Sequence, residues 1–417
     1  MTPVIVGLAV FNLGLIYLLL AAPIGLRTVK LTRLVRAPCE KLWQAVWPLG
    51  RDAGWSGQIV SAEPLHGGTA AQVKLSWEGR DGSPIERRIV FDELAEGERF
   101  VSRIADDTSL DPGFWSSYRE TVDLVEEGDG TRVTIAHADR YRGLAFLIFR
   151  YFALRREIGK LRVWAETGKY KRGGWFEHPL NQVALALLSA LILWPFFGLR
   201  PAGLAMALVL TTVVALHELG HLAAFRLMGH RRVRMIFIPL LGGVAIGGRP
   251  YNSHYEVAFV ALMGAGFSAF LVPLTIAGSA YADAQGIRPL GTMLAVIGGC
   301  AAMFNIANLV PVWKFDGGQV LRQVFFSTAA LAVASFAVLS AFLALGYAIG
   351  FSSRALMVAG AIFAILSLIT AGSGVKPRYA LSPIGTHERW AIGAAFVAVF
   401  VIHAAGILWA TGRLSLV

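Results

Sequence analysis

Three ionisable side chains, His217, Glu218 and His221, fall within five residues of a stretch that otherwise reads as hydrocarbon. His217-Glu218-Leu219-Gly220-His221 has the form H-E-x-x-H, and its surroundings predict a helix. Positions i and i+4 share one helical face, so the two imidazoles can converge on a single metal ion. Glu218 lies one residue from the first imidazole, where it can reach a water without taking a coordination position. A catalytic zinc keeps three protein ligands and one open position and lowers the pKa of water toward about 7. Glu218 could then take a proton as general base and return it as general acid.

In a soluble helix bundle, the same pattern is often two histidines and a glutamate hydrogen-bonded to their neighbours. That account weakens inside a hydrocarbon span. Ionisable groups at membrane depth cost about 3 kcal/mol each, and three on adjacent turns need a common partner. Two histidines leave zinc short of a ligand. A second segment, Asn308-Leu309-Val310-Pro311-Val312-Trp313-Lys314-Phe315-Asp316-Gly317-Gly318, closes another apolar span and offers the Asp316 carboxylate where a helix breaks at Pro311. Taken alone, this segment reads better as an ordinary juxtamembrane turn, where Asp-Gly pairs are common.

The elements that must position these groups follow from composition. Of 417 residues, 55% are hydrophobic and 16% charged, against about a quarter charged in ordinary soluble domains. The apolar excess gathers into runs of about 20 residues, enough to cross a bilayer core as helix. Spans are expected at 4–25, 181–199, 202–225, 256–280, 289–311, 326–350, 355–373 and 390–412. The first is read as a retained anchor, since no clear small-residue cleavage site follows Ala21-Ala22-Pro23. The net charge of +11 gathers beside spans, at Arg150–Arg172, at Arg231, Arg232 and Arg234, and at Lys376, Arg378 and Arg389. Such placement sets membrane orientation and touches anionic lipid, and it argues against nucleic-acid binding. Cys39 and Cys300 lie far apart and imply no disulfide framework.

Residues 27–172 read as a soluble α+β domain. Period-2 alternation at Val29-Leu31 and Val73-Leu75-Trp77, with strand-like runs at 86–94, 98–105, 116–125 and 131–138, is punctuated by turns at His66-Gly67-Gly68, Arg80-Asp81-Gly82 and Glu127-Gly128-Asp129-Gly130. A short helix at 38–48 and a long one at 142–168 complete the set. Arg36-Ala37-Pro38-Cys39-Glu40-Lys41-Leu42-Trp43 after the first strand and Gly130-Thr131-Arg132-Val133-Thr134-Ile135 in the last one resemble the START-like (SRPBCC) helix-grip family. That resemblance implies a cavity for an apolar ligand, which Trp55, Trp77, Phe91, Phe100 and Trp115 could line. Filling an ordinary core is the equally good account of those aromatics.

Topology bears on the two polar motifs. If the basic run before residue 172 is cytoplasmic, spans 181–199 and 202–225 bring His217 and His221 back to the cytoplasmic half. Spans 256–280 and 289–311 then deliver Asp316 to the same side. An odd number of crossings between the motifs would have separated them.

Both motifs, in this order and in this relation to the spans, resemble the site-2 protease family of intramembrane zinc metalloproteases, over roughly residues 180–325. The resemblance implies His217, His221 and Asp316 as zinc ligands, Glu218 as general base and acid, and Asn308 as a polar group near the substrate. Leu240–Gly248 resembles the family's membrane-associated hairpin, which would place Gly242 and Gly243 beside the substrate. Phe315, Trp313 and Lys314 depart from the family's usual leucine and prolines. Other histidines carry less weight: His230 is expected at an interface, His254 off the metal, and His403 packed or hydrogen-bonded.

The expectation is a polytopic α-helical membrane protein of about eight spans with an inserted soluble helix-grip domain. It divides into an anchor (1–26), a START-like domain (27–172), a metalloprotease core (179–325) and further C-terminal helices (326–417). Zn2+ is the expected cofactor, and membrane proteins are the expected substrates. The bilayer is that of a bacterial inner membrane, with the soluble domain and the site toward the cytoplasm. The alternative is a lipid- or ligand-sensing membrane protein whose zinc site is structural or degenerate.

Overall fold

The alternating first third of the chain folds, in the computed structural model, as one antiparallel sheet gripping a long helix. The structure describes residues 3–170, 178–238, 242–370 and 377–415. Lys171, Arg172, Lys376, the tip of the expected hairpin (239–241) and the end of span 355–373 lie outside them.

One compact unit comprises Met1–Arg172 together with Gly372–Ala380. It opens with helix α1 (Pro3–Leu20), followed by β1 (Pro23–Val35), α2 (Cys39–Val46), β2 (Ile59–Leu65), β3 (Ala70–Glu78), β4 (Pro84–Ala95), β5 (Arg99–Asp107), β6 (Arg119–Glu127), β7 (Gly130–Arg142) and α3 (Leu144–Thr167). The seven strands lie in the order β1-β7-β6-β5-β4-β3-β2, each antiparallel to its neighbour. Every third or fourth residue along the second half of α3, Leu154, Ile158, Leu161 and Ala165, is buried against the sheet, as an amphipathic helix requires.

Two local features differ from the expectation. Strand β1 begins at Pro23, inside the stretch expected as the end of the first span, because proline cannot continue α1. Strand β2 was not expected, since its apolar residues do not alternate. Of the five aromatics expected to line a cavity, Phe91 and Phe100 sit in the core beside Trp43 and Trp47, whereas Trp77 is largely exposed.

The second unit, Gly173–Ala371 with Leu381–Val417, is helical. It contains α4 (Pro179–Leu193), α5 (Pro201–Leu227), the hairpin β8 (Arg234–Ile238) and β9 (Gly242–Ile246), α6 (His254–Ala269), α7 (Leu271–Ala284), α8 (Arg288–Asn308), α9 (Asp316–Val324), α10 (Thr328–Ala348), α11 (Ser353–Thr370) and α12 (Thr386–Leu414). Among the described residues, six helices are long and apolar enough to cross a membrane: Pro179–Phe197, Pro201–Leu227, His254–Ala284, Arg288–Asn308, Thr328–Ala348 and Thr386–Leu414. Their outward faces carry Phe270, Leu274, Val333 and Phe336, all largely exposed, which suits hydrocarbon rather than water as solvent. The chain is therefore an integral membrane protein.

Candidate metal centre

Helix α5 presents His217, Glu218 and His221 from buried positions on its C-terminal half. Helix α9 begins at Asp316, which is buried in its first turn. The loop leading to it is pinned by Arg322. That guanidinium stacks 3.6 Å from the Trp313 ring and donates to Trp313 O and Gly318 O. The unusual Trp313 thus has a packing partner that holds the approach to Asp316.

Three atoms converge. His217 Nε2 lies 3.1 Å from His221 Nε2, and Asp316 Oδ2 lies 3.0 Å from the first and 3.5 Å from the second. The opposite ring nitrogens decide what these contacts are. His217 Nδ1 lies 2.8 Å from Asn305 Oδ1, and Asn305 Nδ2 donates to Ala301 O at 2.7 Å, so the amide oxygen faces the ring. His221 Nδ1 lies 2.8 Å from Val260 O. Both partners accept only, so each Nδ1 carries the proton, and a neutral imidazole then has a bare lone pair on Nε2. With both rings neutral, two such lone pairs and a carboxylate oxygen meet with no donor among them. Asp316 Oδ2 is indeed buried with no hydrogen-bond partner.

Only a proton or a cation relieves that arrangement. The triangle suits a metal: zinc at 2.0–2.1 Å from each tetrahedral ligand separates the ligands by about 3.3 Å. Asn305 and Val260 are then the outer groups that fix tautomer and ring orientation, as such partners do at metal-bound histidines. His217, Glu218 and His221 also form a group able to hold a metal by donor spacing alone.

Room for the site depends on two glycines. A Cβ at Gly264 of α6 would lie 2.5 Å from His221 Nε2 and 2.7 Å from His217 Cε1. A Cβ at Gly243 of β9 would lie 2.3 Å from Glu218 Cγ. Close approach brings the β9 backbone to the carboxylate, where Ala245 N–H donates to Glu218 Oε2 at 3.0 Å.

His217, Glu218, His221, Asp316 and Gly243 therefore lie together. Gly242 precedes Gly243 in the same strand, with a φ of 95°. Asn308 is half-buried and donates to Phe304 O. The residue on the imidazole is Asn305, one helical turn earlier, which sequence reasoning missed. The signal was available, because an amide in a hydrocarbon span needs a partner and this span carries two. His403 is fully buried and bonded to Ala265 O, as expected. His254 contacts Gln323. His230, expected at an interface, is instead buried against Glu256 at 2.7 Å.

No protein-family model matches the chain, and no curated protein is similar to it. Solved structures resemble its N-terminal region. The Aha1 dimer from Colwellia psychrerythraea matches with 16% identity and a TM-score of 0.28 over 34% of this chain and 98% of that one. A START superfamily protein from Mycobacterium smegmatis matches with 14% identity and a TM-score of 0.26 over 34% of this chain and 99% of that one.

Proposed function

We propose that the chain is an intramembrane zinc metalloprotease of the site-2 protease kind, hydrolysing peptide bonds of membrane-embedded or membrane-adjacent proteins. The observation that carries this reading is the donor-free contact of His217 Nε2, His221 Nε2 and Asp316 Oδ2, with Glu218 on the adjacent helical position. In the full reading α1 and α11 add two crossings to the six. The site then faces the cytoplasmic half of a bacterial inner membrane.

His217, His221 and Asp316 would hold the zinc, which supplies a Lewis acid and lowers the pKa of water. The chain's own groups do the rest. Asn305 and Val260 O keep both Nδ1 atoms protonated and the rings aimed inward. Glu218 takes a proton from the attacking water as its oxygen bonds to the scissile carbonyl carbon. Glu218 then returns that proton to the amide nitrogen as the C–N bond breaks. A substrate helix must unwind before its carbonyl is accessible, and the β9 backbone against Glu218 offers an extended segment a strand to pair with.

The test is Glu218→Gln in cells and in purified protein. Truncated single-span membrane proteins should accumulate with the wild-type chain and vanish with the variant. Turnover should fall by about 10²–10⁴-fold while metal content is retained. A fully active Glu218→Gln protein rules the mechanism out.

A further inference from the structure

Helix α3 has two apolar faces where the sheet needs one. Its second half buries Leu154, Ile158 and Leu161 against the strands. Its first three turns also expose Phe146, Ile148, Phe149 and Phe152, with Phe149 at 71% exposure. Phe146, Phe149 and Phe152 recur every three residues and form one aromatic row, which the next turn replaces with exposed Arg155 and Arg156.

The row adjoins the end of α1, an 18-residue helix without a charged side chain. Gly143, just before α3, donates to Ala22 O, and Arg142 donates to Ala21 O. A Cβ at Gly143 would lie 2.4 Å from Leu19 O, so the two helices meet through backbone. Beside the row, a shallow groove of about 460 Å³ runs between Arg27–Lys30 of β1 and Ile148–Phe152 of α3.

Charge is segregated along the same axis. From Asp139 to Arg156, around the start of α3, there are five basic residues and one acidic one. The opposite ends of the strands carry Glu96, Glu98, Glu126, Glu127 and Asp129 in the β4–β5 and β6–β7 turns. The 13 residues of β7 separate these ends, by about 40 Å at strand rise.

We propose that the aromatic row of α3 lies in the headgroup layer of an anionic bilayer, so that the sheet domain rests on the membrane by its basic end. Three observations select lipid over a second copy or a peptide. The patch continues directly from an apolar helix, it combines aromatic side chains with flanking arginines, and its net charge complements anionic headgroups. The acidic turns then point away from the surface. This inference rests on the membrane character of the chain and not on the metal centre.

The full-length chain, with both native cysteines replaced by alanine, is labelled with bimane at Phe149→Cys, Phe152→Cys or Val125→Cys. It is reconstituted in phosphatidylcholine vesicles with or without phosphatidylglycerol. Brominated lipid should remove roughly half the fluorescence or more at positions 149 and 152, and iodide little, with the reverse at position 125. Arg155→Glu with Arg156→Glu should reduce bromine quenching in the anionic vesicles. Iodide access at positions 149 and 152 equal to that at position 125 overturns the proposal. Shielding from iodide without bromine quenching overturns it too, since protein rather than lipid then covers the row.

Discussion

Two buried aspartates, one in each unit, have opposite surroundings. In the sheet unit, Asp107 is almost fully buried and closes its valences within the fold. Arg87 Nε donates at 2.6 Å, Ser109 N at 2.7 Å and Leu110 N at 3.0 Å. In the helical unit, Asp316 is also buried, yet its Oδ2 faces the Nε2 atoms of His217 and His221 and has no hydrogen-bond partner. The helical unit is not simply poor at satisfying carboxylates. Glu256, also buried, accepts from His230, from Arg249 at 3.0 Å and from the Asn252 backbone at 2.5 Å. A closed cluster is structure, and its net worth is modest. An open cluster of acceptors in a low-dielectric interior is costly unless a cation completes it. That contrast is what the proposed metal site rests on.

The comparison breaks most easily at Gly264. Gly264→Ala puts a methyl where the imidazoles converge, so metal should fall from stoichiometric to near zero in purified protein, measured by elemental analysis. Full retention would mean that the three acceptors are not the site. Asn305→Leu leaves the ligands but removes the acceptor for His217 Nδ1. Metal affinity should weaken by about 10–100-fold in a chelator competition. An unchanged affinity would reduce Asn305 to packing.

Asp107→Ala tests the closed side. It strands Arg87 and two backbone donors and should cost the sheet unit about 3 kcal/mol in chemical denaturation, with metal content untouched.

The smallest effect belongs to Glu120, which lies 3.6 Å from His137. Burial alone would raise its carboxyl, but the neighbouring His137 imidazole, with the charges of Arg150 and Arg87, outweighs it and holds the group below its ordinary 4.5. A depressed carboxyl contributes stability above the unfolded value and loses it as pH falls through the folded one. Protection factors of the β6 and β7 amides, corrected for intrinsic exchange, should therefore fall on acidification from about pH 5 to about pH 3, and Glu120→Gln should flatten that response.

Much of this was legible in the chain itself. Period-2 alternation marked most of the strands, and the turn at Glu127–Gly130 marked the last hairpin. Strand β2 escaped because it is a sheet edge whose residues need not alternate between core and water. Long apolar runs marked the crossing helices, and three ionisable groups in one such run marked the site.

Periodicity relates residues on one element, so the sequence by itself determined that His217 and His221 share a face and that Glu218 lies beside them. Tertiary structure alone decided that Asp316 closes the triangle, that Asn305 rather than Asn308 sets a tautomer, and that Gly243 and Gly264 leave the space. Each of those depends on atoms from separate helices or strands meeting within a hydrogen bond's length. No spacing along one chain segment encodes such a distance, because packing between elements sets it.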